Sequence, residues 1–279
     1  MSSAIVAAAY VVAFVAALRS TWSPCGLSML SSITPIGERG RGHRFAGTAS
    51  WFVAGALLGG LTLGAALFGL AAGVAALGPS SRILVVAAAV AAALSVSVDA
   101  GLTGIRIPVL RRQVNEVWLD QFRSWVYGAG FGWQIGVGFT TYVMTAAVVL
   151  TCALAALTAR PWAALGAGVA FGAIRGLTVF LGARVTSPDR LRRAHQRLER
   201  LRRPVWLTVI ASQLVVAGAL MALVWWPAVV IEAGLAAAVG LIRVGALTAG
   251  GARLRRAPVV GRRLQPAPSG PGGPTQRTP

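Results

Sequence analysis

Apolar runs long enough to cross a bilayer recur along this chain with short polar gaps between them, and that alternation predicts a polytopic bundle of membrane helices. Seven runs stand out, at about 3–35, 46–77, 83–103, 125–157, 162–182, 205–226 and 229–250. The first is interrupted near Pro24, where "LRSTWSPCGLSMLSSITP" (residues 18–35) places Arg19, Pro24, Cys25 and Pro35 within or at the end of the run. Backbone groups left unpaired by a broken helix are costly in lipid unless protein or trapped water satisfies them. The break therefore marks a position with a purpose.

The polar gaps carry a second pattern. Arg39, Arg41 and Arg44 follow the first run, Arg106, Arg111, Arg112 and Arg123 follow the third, and eight arginines from Arg184 to Arg203 follow the fifth. The intervening gaps hold only Arg82, Arg160 and, around "WWPAVVIEA", no basic residue. The positive-inside rule then predicts a multi-pass protein with its N-terminus outside and its C-terminus inside. "SPDRLRRAHQRLERLRR" begins with Ser187 as an N-cap and Pro188 at the first helical position, and reads as a short interfacial helix on anionic lipid. Residues 251–279, rich in Pro, Gly and Arg, read as a disordered cytoplasmic tail after a bundle spanning 1–250.

Composition narrows the picture without changing it. The chain has 279 residues, 56% of them hydrophobic and only 12% charged, with a formal net charge of +19. That charge sits in the gaps, so it reports topology and lipid contact, not a nucleic-acid surface. All 26 basic residues are arginine, which with the abundant Ala and Gly suggests a GC-rich bacterial genome and a bacterial cytoplasmic membrane.

Small residues recur at helical spacing: Gly55 and Gly59, Gly60 and Gly64, Gly172 and Gly176, and Gly128, Gly132 and Gly136. Such faces let helix backbones approach closely in lipid. Gly60-Leu61-Thr62 in the second run matches Gly176-Leu177-Thr178 in the fifth. Three spans per unit put the second copy upside down, so the chain reads as a 3+3 inverted repeat: one copy at about 3–103, the other at about 125–226, and an extra span at about 229–250.

"WSPCGLSMLSSITP" in a first span, with small-residue spans and that repeat, resembles the CcdA and DsbD membrane thiol-disulfide transporters. The resemblance implies that Pro24 is the helix-breaking proline and Cys25 the first redox cysteine. It also implies a cytoplasmic thioredoxin-like donor and an extracytoplasmic thiol-disulfide acceptor as partners, together with a second cysteine in the other repeat. The family's second-repeat motif aligns with Phe139, Thr140, Thr141 and Tyr142, which places Tyr142 where that cysteine would stand. Cys152 lies ten residues on, about 15 Å along a straight helix. A disulfide needs Cα atoms within about 7 Å. Pairing of Cys25 with Cys152 would thus need broken, sliding helices, and Cys152 in "VVLTCALAAL" also reads as a packing residue.

The intramembrane charges are Arg19, Asp99, Arg175 and Glu232. Each is expensive in lipid and points to a partner or a watery cavity. Arg19 is placed to activate Cys25 or to pair with Asp99; Arg175 is placed to hold an anionic solute or to pair with Asp99 or Glu232. No metal-ligand spacing and no phosphate loop is present, and no cofactor is expected. Besides thiol-disulfide carriage, the pattern leaves open a small-solute transporter and a noncatalytic scaffold or assembly subunit.

Overall fold

The computed structural model describes residues 2–104, 117–139 and 143–224. Its described elements are helices, with no strand among them: α1 (Ser2–Ser20), α2 (Pro24–Ser32), α3 (Pro35–Gly40), α4 (Phe45–Ala76), α5 (Ser81–Asp99), α6 (Trp118–Gln121), α7 (Ser124–Val137), α8 (Ala146–Leu157), α9 (Pro161–Leu177), a 3-10 turn at Thr178–Gly182, and α10 (Pro188–Ala222). Five apolar segments among the described residues are long enough to cross a bilayer: α1, α4, α5, α9 with its 3-10 extension, and α10. Outward-facing Phe14, Leu58, Leu70, Leu94 and Val215 are exposed, as a lipid-facing surface requires. The expected seventh span and the tail lie outside the described residues.

Capping explains where the first run breaks. Ser23 is extended and its hydroxyl accepts a hydrogen bond from Gly26 N at 3.1 Å, while Pro24 takes the first helical position, where its missing N–H costs nothing. A side chain at Gly26 would place its Cβ 2.4 Å from the Thr21 carbonyl oxygen, so the turn tolerates only glycine there. Thr34 and Pro35 repeat the device at α3, with Thr34 Oγ1 accepting from Gly37 N at 3.1 Å.

Two segments differ from the hydropathy reading. The run at 125–157 is two helices, with α7 ending before Gly138 at φ 82° and α8 starting after Thr145, whose hydroxyl accepts from Ala147 N at 3.2 Å. A positive φ ends a helix for the same steric reason that favours glycine there. Conversely, the interfacial segment and the sixth run form the single 35-residue helix α10 with Pro204 inside. Proline removes one intrahelical bond and crowds the preceding turn, but it does not end this helix.

Helix α4 is the central post, packed along its length against α7 and α9. A larger apolar core joins α1, α5, α8, α9 and α10 to the second half of α4, while a smaller one gathers Met29, Ile33, Phe52, Tyr127 and Phe131. The N-terminal half of α10 docks on the α1–α2 turn: Trp22 Nε1 donates to the Leu198 carbonyl at 2.8 Å, and Ser31 Oγ lies 3.0 Å from His195 Nε2. The segment expected to lie on lipid is therefore also tied to the bundle.

Candidate functional site

Three polar centres, buried or partly buried, sit where helices end or break. At the first, Cys25 is buried as the second residue of α2. It borders a space of about 10 Å³ with Ser28, Met29, Ser32, Leu119, Phe131 and Ile135. That is room for one water at most. Arg175, in the last turn of α9 and 3% exposed, lies within electrostatic reach of Cys25. Its guanidinium carbon stands 5.6 Å from the Phe171 ring centroid, a cation–π contact in a desolvated setting. Gly138 approaches the same pair so closely that a Cβ there would meet Phe171 Cε1 at 2.7 Å, with Arg175 Nη1 at 3.8 Å. The break after α7 thus reaches the Arg175 centre, and Arg175 shares it with Cys25.

Asp99 organises the second centre. Its carboxylate accepts hydrogen bonds from Thr145 Oγ1 at 2.5 Å, Ala146 N at 2.7 Å and Gln213 Nε2 at 2.8 Å. The carboxylate ties the C-terminal end of α5 to the start of α8 and to α10, and its charge faces the positive end of the α8 dipole. It forms a salt bridge with neither Arg19 nor Arg175, the partners considered from sequence; the ion pairs of the described residues are Arg41–Glu38, Arg192–Asp189 and Arg202–Glu199. Asp99→Ala is expected to cost about 3 kcal/mol by stranding buried donors. Asp99→Asn, which keeps an acceptor at α8, should cost less than half of that. Thermal unfolding of the purified protein in detergent checks both; equal losses would contradict the capping role.

The third centre was not singled out from sequence. Glu38 in α3 is fully buried; its carboxylate accepts from Thr48 Oγ1 at 2.5 Å and Tyr127 Oη at 2.7 Å, and pairs with Arg41 Nη2 at 3.3 Å. Arg41 also donates to the Ser32 carbonyl at 2.7 Å, satisfying the end of α2. One carboxylate therefore joins the starts of α4 and α7 to the short helices after the first break. The available signal was an acidic residue alone among the arginines of "GERGRGHR".

The other sequence-derived candidates fall elsewhere. Cys152 is partly buried against the larger core, Cys25 lies beside the smaller one, and no disulfide joins them. Thr140, Thr141, Tyr142 and Glu232 lie outside the described residues. Among the described residues no group of three or more His, Cys, Asp or Glu side chains could hold a metal.

With this geometry in view, comparison with known proteins gives a direction. Its curated relatives are methylamine utilization proteins. The chain is 33% identical over 150 residues to the methylamine utilization protein MauF of Methylophilus methylotrophus, covering 53% of this chain and 52% of that protein. To MauF of Methylorubrum extorquens it is 31% identical over 166 residues, covering 59% and 58%, and to MauF of Paracoccus versutus 32% identical over 151 residues, covering 52% and 54%. The chain thus spans little more than half the length of these relatives. No family model and no solved structure matches it.

These relatives overturn the resemblance to CcdA and DsbD. With it go thiol-disulfide carriage and the thioredoxin-like and thiol-acceptor partners. The physical reason is visible in the motif: Ser23-Pro24 is a helix N-cap followed by a first-turn proline, a local solution open to any interrupted membrane helix.

Proposed function

We propose that this chain is an integral membrane component of methylamine utilization, and that its working centre is the buried Arg175 with the helix ends around it. The similarity to MauF proteins over more than half of the chain carries this reading. A cation kept inside an apolar bundle is costly and is retained where it serves a purpose. In this reading the thiols pack and do not exchange. We place the protein in the bacterial cytoplasmic membrane with the arginine-rich gaps inside and the N-terminus outside, following the charge alternation. We also infer seven spans in two inverted three-span units plus one. The interruptions after Ser20 and Val137, one in the first span of each unit, support that plan.

Loss of the gene is expected to abolish growth of its host on methylamine while leaving growth on a non-amine carbon source with ammonium intact. Complementation with Cys25→Ser/Cys152→Ser should restore growth. Arg175→Gln, present in the membrane at the normal level, should not. Undiminished growth of the deletion strain on methylamine would remove the functional reading. Full complementation by Arg175→Gln would remove only the assignment of its centre.

A further inference from the structure

Arg19 ends the first helix in an unusual state. The residue is 6% exposed, yet its Nε and Nη1 have no hydrogen-bond partner among the described residues. Buried guanidinium donors left unpaired are costly, and Asp99, the nearby carboxylate that could have taken them, is held by Thr145, Ala146 and Gln213. Arg19 instead borders a cavity of about 260 Å³, lined also by Glu199, Arg202, Arg203 and Trp206. Arg202 is near enough for the two cations to repel. Glu199 pairs with Arg202 at 3.3 Å, both side chains being more than half exposed. Three guanidiniums against one carboxylate leave the cavity with a surplus of two positive charges.

We propose that this cavity is a binding site for a phosphate oxyanion. A tetrahedral oxyanion presents several acceptors at the spacing of a guanidinium fork, and it would neutralise the repulsion between Arg19 and Arg202. The proposal is independent of the role in methylamine utilization. Two sources share the chemistry: a phospholipid headgroup, for which an arginine-lined pocket at the end of a membrane bundle is suited, and free phosphate.

The test uses the purified full chain in detergent with two probes, inorganic phosphate at constant ionic strength and phosphatidylglycerol. Binding is read by thermal shift and, for the lipid, by native mass spectrometry. Saturable binding of either probe, weakened at least tenfold in Arg19→Gln and in Arg202→Gln/Arg203→Gln, is expected. Phosphate binding without lipid binding identifies a soluble anion. Lipid binding, whether or not phosphate competes, identifies a headgroup. The double variant alters only exposed side chains, so it decides the matter if Arg19→Gln does not fold. No binding of either probe to the unaltered protein, or unchanged binding in a folded variant, overturns the proposal.

Discussion

Gly132→Ala is expected to lower the stability of the folded bundle by about 3 kcal/mol, and Gly132→Leu to leave no folded protein recoverable from the membrane. A Cβ built at Gly132 would lie 2.0 Å from the Phe52 carbonyl oxygen and 2.9 Å from Ala56 N, both backbone atoms of α4. Backbone cannot step aside as a side-chain tip can, so α4 and α7 would have to separate by roughly 1.5 Å to restore van der Waals distance. That separation would also open the neighbouring contacts. Gly55 sits against the Ala129 carbonyl, Gly59 against Trp133 and Gly136 against Ala56, all along the same interface. In lipid, helices gain little from hydrophobicity when they associate, and this close packing is what holds them. Gly73→Ala supplies the control. It lies in α4, the helix that Gly132 packs against, with nothing within 4 Å of a Cβ. Alanine is the better helix former, by up to about 1 kcal/mol, so this change should be neutral or stabilising. Unfolding of the two variants in detergent checks the contrast, and equal behaviour would mean that the α4–α7 contact contributes little.

The same glycines show what could be read in advance. Spacing alone marked Gly55/Gly59 and Gly60/Gly64 as close-approach faces, and α4 uses them separately, the first against α7 and the second against Gly168 and Leu165 of α9. That information is local, because residues three and four apart share a helix face whatever lies opposite. The span boundaries were less legible. The interfacial segment and the run from about 205 read as separate elements, yet α10 continues from one into the other through Pro204; the break after Val137 has no proline to announce it, only Gly138 among many glycines. The Ser-Pro-Cys stretch was legible as chemistry and misleading as ancestry. Its serine and proline describe how a helix restarts, and its cysteine occupies a nearly closed space beside Arg175. The unpaired Nε and Nη1 of Arg19 could not be read at all, and the groups that hold the nearby Asp99 lie 46, 47 and 114 positions from it.

Glu38→Ala is expected to cost about 3–5 kcal/mol, the range for removing one partner from a buried charged network. The carboxylate accepts from the Tyr127 hydroxyl at 2.7 Å, a group 89 positions distant, and it also holds Thr48 and Arg41. Without it the Tyr127 hydroxyl stays buried without its carboxylate acceptor, and Arg41 keeps the Ser32 carbonyl and its place over the Tyr127 ring, 5.9 Å from the centroid. Glu38→Gln retains one acceptor oxygen and the volume, so it should recover more than half of the loss. Tyr127→Phe removes one bond of the network and should cost about 1–2 kcal/mol. If the three groups act as a unit, Tyr127→Phe added to Glu38→Ala will cost almost nothing further, because the hydroxyl left stranded by the first change is the group removed by the second. A double-mutant cycle on detergent-solubilised protein measures this directly. Additive losses would show that Glu38 and Tyr127 stabilise the protein independently and that the junction of α3, α4 and α7 is held by packing instead.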